Sequence, residues 1–359
     1  MSRRLHRTIA ASLAAAVLLA PLPLDAADAP PAPVMTARIP PPDPPEVTPD
    51  VRRAIDRGLH YLASTQARDG SWRARQGAYP TAITSLAGLA LLASGSTPTE
   101  GPYARQVSAA LTYVLDSARS DGLIARLEEE SHNMHGHGFA LLFLAECYGM
   151  AEDPARQARI RDVLQRGVEL TARSQSAAGG WLYTPDSRGD EGSVTVTQVQ
   201  GLRACRNAGI AVPKRTIDRA MDYLVRSSNP DGGVRYQVSD SGPGRPPLSA
   251  AAVVCWYNAG LYDDPHAVRA REFVERTLAP TSGEAGGHYF YAHLYAAQVH
   301  WLSGPDAWAR YAESMNRQLL LRQSIDGSWD GDYVGPVYGT SVALLILQLP
   351  YRHLPIMQR

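Results

Sequence analysis

Gln323-Ser324-Ile325-Asp326-Gly327-Ser328-Trp329 decides how the chain is read, because Gln66-Ala67-Arg68-Asp69-Gly70-Ser71-Trp72 stands near its other end. Shorter versions lie between them: Ser120-Asp121-Gly122-Leu123, Gln175 leading to Gly179-Gly180-Trp181, and Asn229-Pro230-Asp231-Gly232-Gly233. Gly286-Gly287 precedes His288. The phrase returns roughly every 40–60 residues, a period that marks a repeat architecture. Its chemistry is that of a turn. Gly tolerates positive φ, and Asp bonds the backbone two residues on. Trp is suited to cover a seam between repeats, provided its indole N–H finds a partner.

Before each phrase runs a helix with one apolar stripe, such as Val51, Ile55, Leu59 and Leu62 among Arg52, Arg53, Asp56 and Arg57. After it runs a helix that is apolar nearly all round, such as Ala82 to Leu92, and such a helix is covered on every side. One half-wet helix followed by one dry helix, six times over, predicts an all-α (α/α)6 toroid of six helix-hairpin repeats. The dry helices form its inner ring.

Residues 1–29 read as a signal peptide: Arg3, Arg4 and Arg7, an apolar run from Ile9 to Ala20, then Ala27-Asp28-Ala29. Export to the periplasm or medium is the expectation. The run is short for a membrane span, so none is expected in the mature chain. Residues 30–49 form a Pro-rich linker, and residues 50–359 form the repeat domain, expected to be a monomer. Thr48-Pro49-Asp50 reads as a helix start. The 35 basic and 35 acidic residues cancel, with no basic stripe, which disfavours nucleic acid. Cys147, Cys205 and Cys255 fall in dry helices, are odd in number, and read as buried thiols.

Gln-x-x-Asp-Gly-Ser-Trp joined to apolar helices resembles the QW-type repeat of the prenyltransferase and squalene-cyclase superfamily, over the whole chain after the linker. The stretches from Ser193 to Pro213 and from Leu349 to Arg359 resemble an exported, planctomycete-like subset of it. The resemblance implies a toroid that handles isoprenoids. The superfamily's reactive motifs do not carry over. Asp330-Gly331-Asp332-Tyr333 supplies at most two carboxylates of an Asp-x-Asp-Asp acid, and no Asp-x-Cys zinc pair or Gly-Cys-Gly-Glu-Gln thioester occurs. A fold without its site does not carry the function.

Inner helices that start at one mouth would gather their first residues there: His132, His135, His137, Asp190, Glu191, His288, Tyr289, Tyr291, His293, Tyr333 and Tyr338. Three readings follow. His135, His137, Asp190 and His288 are of the types that hold Zn²⁺. His and Tyr with Glu191 or Asp190 suit acid–base work on a polysaccharide, as in a lyase or glycosidase. An aromatic cavity suits an elongated apolar ligand, an isoprenoid or lipid, or an extended peptide. Whether the chain is an enzyme stays open at this point, as does an isoprenoid transferase or cyclase with a divergent acid or metal site. Glu128-Glu129-Glu130 is expected to be a solvated loop end.

Overall fold

Thr48 starts the first helix as expected of its type, its Oγ1 accepting from the Val51 N–H at 3.4 Å. The computed structural model describes residues 43–281 and 288–358; the signal-like residues 1–29 and most of the linker lie outside them. The described residues fold into twelve α-helices: α1 Pro49–Thr65, α2 Pro80–Ala93, α3 Ala104–Asp116, α4 Asn133–Tyr148, α5 Pro154–Ser174, α6 Gly192–Asn207, α7 Lys214–Ser227, α8 Pro246–Asn258, α9 Pro265–Thr277, α10 Tyr289–Leu302, α11 Pro305–Arg322 and α12 Pro336–Leu347. The even-numbered helices pack in sequence from α2 to α12, and α12 returns to α2. That closes an inner barrel. The odd-numbered helices sheathe it, and all fourteen residues of α2 are buried while α1 buries only one stripe. The fold is an α/α toroid.

The repeated phrase is the joint between hairpins. Gln66 Nε2 donates to Gly70 O within its own turn at 2.9 Å and to Gln106 O of α3 at 3.0 Å. Gln175 does the same with Gly179 O and Thr216 O of α7. Gln323 bonds Gly327 O and reaches Ala54 O of α1, both at 2.9 Å, so the last joint ties the chain's end to its beginning. Trp72, Trp181 and Trp329 each give their indole N–H to the carbonyl ten residues earlier, on Leu62, Thr171 and Leu319. The glycines seat the joint on the next outer helix. Gly70 (φ 88°) and Gly327 (φ 88°) press on the carbonyls of Ala109 in α3 and Arg57 in α1, where a Cβ would come within 2.5 and 2.6 Å.

A second register repeats on the inner helices. The backbone N–H of Trp72, Trp181, Val234 and Trp329 donates to Thr84, Thr195, Ser249 and Thr340, at 2.8–3.0 Å. In the α4 hairpin that place belongs to His137, whose Nδ1 accepts from the Ile124 N–H at 3.2 Å.

One end of the barrel is stopped. Leu354, Ile356 and Met357 are buried, and the turn Pro355–Met357 packs on α6. The Ile356 N–H donates to Glu146 Oε1 in α4, and His353 Nδ1 lies 3.0 Å from Ala93 O at the end of α2. Higher up, Gln200 of α6 donates to Gln298 of α10 across the barrel at 3.1 Å. The opposite end carries the N-termini of the inner helices. That end is the mouth.

Candidate functional site

Three carboxylates knit the mouth, and each satisfies the free N–H groups of a helix start. Glu191 accepts from Ser193 N and Val194 N at the head of its own helix, α6. Glu130 accepts from Thr81 N at 2.5 Å and Arg126 N at 3.2 Å, capping α2 from the loop before α4. Asp332 accepts from Phe290 N at 3.1 Å, capping α10 from the loop before α12. Glu130 is therefore a buried cap, not the solvated loop end its acidic run predicts; burial pushes its pKa up, against the helix N–H groups that hold it down. Burial likewise raises Glu191, opposed chiefly by its bonds from Ser193.

Around these caps lies a ring of aromatic side chains in two arcs. In the first, His132 stacks on Tyr183 at 4.0 Å between centroids, and the Tyr183 and Tyr236 hydroxyls bond each other. Arg245, from the Gly- and Pro-rich loop before α8, lies over the Tyr236 ring at 4.4 Å. His135 Nε2 sits 3.0 Å from Ser193 Oγ, which in turn donates to Glu191 at 2.7 Å; burial lowers the His135 pKa to about 4. The imidazole is therefore neutral near pH 7, and Nε2 serves as donor to Ser193.

The second arc holds His288 edge-on to Tyr333 at 5.6 Å, Tyr291 edge-on to Tyr295 at 5.0 Å, and Tyr338 on α12. The arcs face one another. The Tyr291 phenol is raised well above its usual range by burial, then by Tyr295, Glu191 and Tyr338; Tyr333 is raised by burial, then by Asp332, Tyr79 and Tyr183. Tyr79 completes the ring, bonded to Ser131 Oγ at 3.0 Å and held at φ 52°, a left-handed conformation that is costly for so bulky a residue.

Three of the residues expected at the mouth are turned away from it. His137 spends Nδ1 on Ile124 and places Nε2 3.0 Å from Thr171 Oγ1 of α5, so it faces the outer ring. His293 bonds the Tyr311 hydroxyl of α11 at 2.9 Å, and Tyr289 lies under the Arg322 guanidinium at 4.1 Å with its hydroxyl on Pro280 O. The physical reason is helical geometry. Residues two apart point to opposite sides, whereas i and i+4 share a face. Tyr289 and His293 thus form the outward pair of α10, and Tyr291 and Tyr295 the inward one. With His137 removed and Asp190 accepting from Val238 N, the expected zinc set does not assemble. Among the described residues no three His, Cys, Asp or Glu side chains are placed to share a metal.

Tyr79, Tyr183, Tyr236, Ser193 and Arg245 belong to the mouth although the sequence reading does not single them out as site residues. A signal existed for two of them: Tyr183 and Tyr236 each stand two residues after the phrase's last position, at Trp181 and Val234. A separate cleft of about 460 Å³, lined by Arg173, Gln175, Ser187 and Arg188 among others, lies between the end of α5 and the loop after Trp181 and takes no part in the mouth. All three cysteines are buried free thiols.

No protein-family model matches the chain. It is 29% identical over 196 residues to a drimenyl diphosphate synthase of Streptomyces showdoensis, a match covering 54% of this chain and 34% of that enzyme. A drimenyl diphosphate synthase of Streptantibioticus cattleyicolor matches at 27% over 207 residues, 57% of this chain and 36% of the enzyme. The match spans about a third of the length of these relatives. Among solved structures, the type II terpene cyclase MstE from Scytonema superposes with a TM-score of 0.59 at 18% identity, covering 85% of this chain and 99% of that one. The GH76A α-1,6-mannanase of Salegentibacter superposes with a TM-score of 0.62 at 9% identity, over 84% and 99%. Identities this low establish the toroid and nothing finer. By sequence, the chain is similar to part of a drimenyl diphosphate synthase.

Proposed function

We propose that the chain is an exported, monomeric toroid that binds an isoprenoid at the tyrosine-lined mouth of its inner barrel. One observation carries this reading: Tyr79, Tyr183, Tyr236, Tyr291, Tyr295, Tyr333 and Tyr338 converge on one mouth, over a barrel whose other end is stopped by the chain's own C-terminal segment. Aromatic faces offer large apolar contact at low entropic cost, and their negative quadrupoles suit polyene chains and the cations they form. The sequence relatives are isoprenoid enzymes, and MstE is known in complex with geranylgeranyl dihydroxybenzoate as its substrate. The basic start, apolar run and Ala27-Asp28-Ala29 support export. Glu191 is the acid the mouth offers, a buried carboxyl linked through Ser193 to partly exposed His135.

The test is a fluorescence titration with geraniol, farnesol and geranylgeraniol. At least one should bind saturably, and Tyr338→Ala should weaken it about tenfold, the scale of one lost aromatic anchor. Failure of all three to bind sinks the reading.

A carbohydrate occupant is favoured by the stack of exposed His132 on half-buried Tyr183 and the adjacent acids Asp190 and Glu191; the Salegentibacter mannanase is inactive when two neighbouring aspartates are replaced. Both acids are already engaged, Glu191 at a helix start and Asp190 on Val238 N. Release of new reducing ends from α-1,6-mannan oligosaccharides, abolished in Asp190→Asn, would move the assignment to a glycosidase.

A further inference from the structure

Tyr291 and Tyr295 differ from the other tyrosines of the mouth. Their hydroxyls are buried, and neither has a hydrogen-bond partner among the described residues. Tyr295 is wholly buried, Tyr291 partly, and the i, i+4 pair sets the two rings 5.0 Å apart on the inward face of α10. Around them the equivalent groups are satisfied: Tyr79 on Ser131, Tyr183 on Tyr236, Ser193 on Glu191. An unpaired buried hydroxyl costs about 1–3 kcal/mol, and two on neighbouring rings call for an explanation. Tyr→Phe would remove the cost without changing the shape. A purely hydrocarbon ligand would need no hydroxyl here.

On the isoprenoid reading given above, we infer that the bound ligand carries a neutral oxygen, as hydroxyl, carbonyl or epoxide, and that Tyr291 and Tyr295 donate to it while its hydrocarbon part lies against the aromatic ring of the mouth. The charge distribution argues against an anionic head at this point. Glu191 bears on Tyr291 and Asp332 on Tyr338, each charge raising the phenol, and the Arg245 guanidinium lies over the Tyr236 ring. A phosphate placed between the two phenols would meet like charge, whereas a neutral oxygen accepts both hydroxyls at no such cost.

The experiment compares three probes of one chain length on the full protein: farnesol, farnesyl diphosphate and the hydrocarbon farnesene. The native protein should bind farnesol about tenfold more tightly than farnesene, the worth of one or two hydrogen bonds, and farnesyl diphosphate no better than farnesene. Tyr295→Phe should weaken farnesol severalfold, the double variant Tyr291→Phe, Tyr295→Phe should bring it down to the farnesene level, and both should leave farnesene unchanged. In the ligand-free state Tyr295→Phe should melt at or above the native temperature, since it removes an unpartnered group. Equal binding of farnesol and farnesene, preference for the diphosphate, or a Tyr295→Phe protein that melts lower without ligand would each overturn the inference while leaving the isoprenoid reading standing. Failure of all three probes would instead remove that reading.

Discussion

At the scale of the residue, His137 illustrates how a residue of catalytic type comes to serve the scaffold. Its ring fills a place that Thr84, Thr195, Ser249 and Thr340 fill in other hairpins, accepting a backbone N–H from the preceding phrase. Burial lowers its pKa to about 4, so it is neutral in the folded protein near pH 7. His137→Ala should therefore cost about 2–3 kcal/mol by stranding the Ile124 N–H and leaving a cavity. His137→Thr should cost clearly less, because the hydroxyl can accept the same bond. Thermal unfolding of the two variants checks this, and equal losses would refute the shared register. Ligand binding should be unchanged in both. By contrast His135, two residues earlier, points to Ser193 and the mouth. The name His-x-His carries no information about which imidazole faces which way until the helix is placed against its neighbours.

At the scale of the element, the phrase is both a turn and a socket for the next outer helix. Gly327 shows the two demands separately: φ of 88°, and backbone of α1 so close that a Cβ would come within 2.6 Å of Arg57 O. Gly77 has a similar φ of 79° but nothing within 4 Å. Gly77→Ala should thus lose only the left-handed penalty, about 1–2 kcal/mol, while Gly327→Ala should lose more, because α1 must also move off the joint. Denaturation midpoints compare the two directly, and equal shifts would mean that the joint does not seat α1. The hairpin pattern and the turn residues were legible in the sequence, since both are set within a few residues of chain. The target of each Gln was not. Its amide reaches Gln106, Thr216 or Ala54, between 40 and 269 residues away.

At the scale of the whole molecule, the stopped end brings a pH dependence. Glu146 is buried beneath the C-terminal segment, holds the Ile356 N–H, and is raised by burial from 4.5 to about 7. A carboxyl with a raised folded pKa contributes its stability in full below pH 4.5 and loses it as pH rises through 7. Glu146→Gln keeps an acceptor for Ile356, so it should match the native protein at pH 5 and exceed it at pH 8 by on the order of 3 kcal/mol, as the rise from 4.5 to about 7 implies. Parallel stability curves across that range would show that Glu146 does not titrate with folding. The two histidines with lowered pKa act in the opposite direction. His135 and His137, both lowered to about 4, contribute stability above pH 6.5 that is lost as pH falls through 4. By itself the sequence determined the closed ring of six hairpins, because periodic burial and turn chemistry are local and recur at every joint. Only the tertiary structure decided which end is stopped, that Glu130 is a cap, and that Tyr291 and Tyr295 face inward while Tyr289 and His293 face out. Those outcomes depend on the rotation of each helix about its own axis, which is set by packing against neighbours far away along the chain.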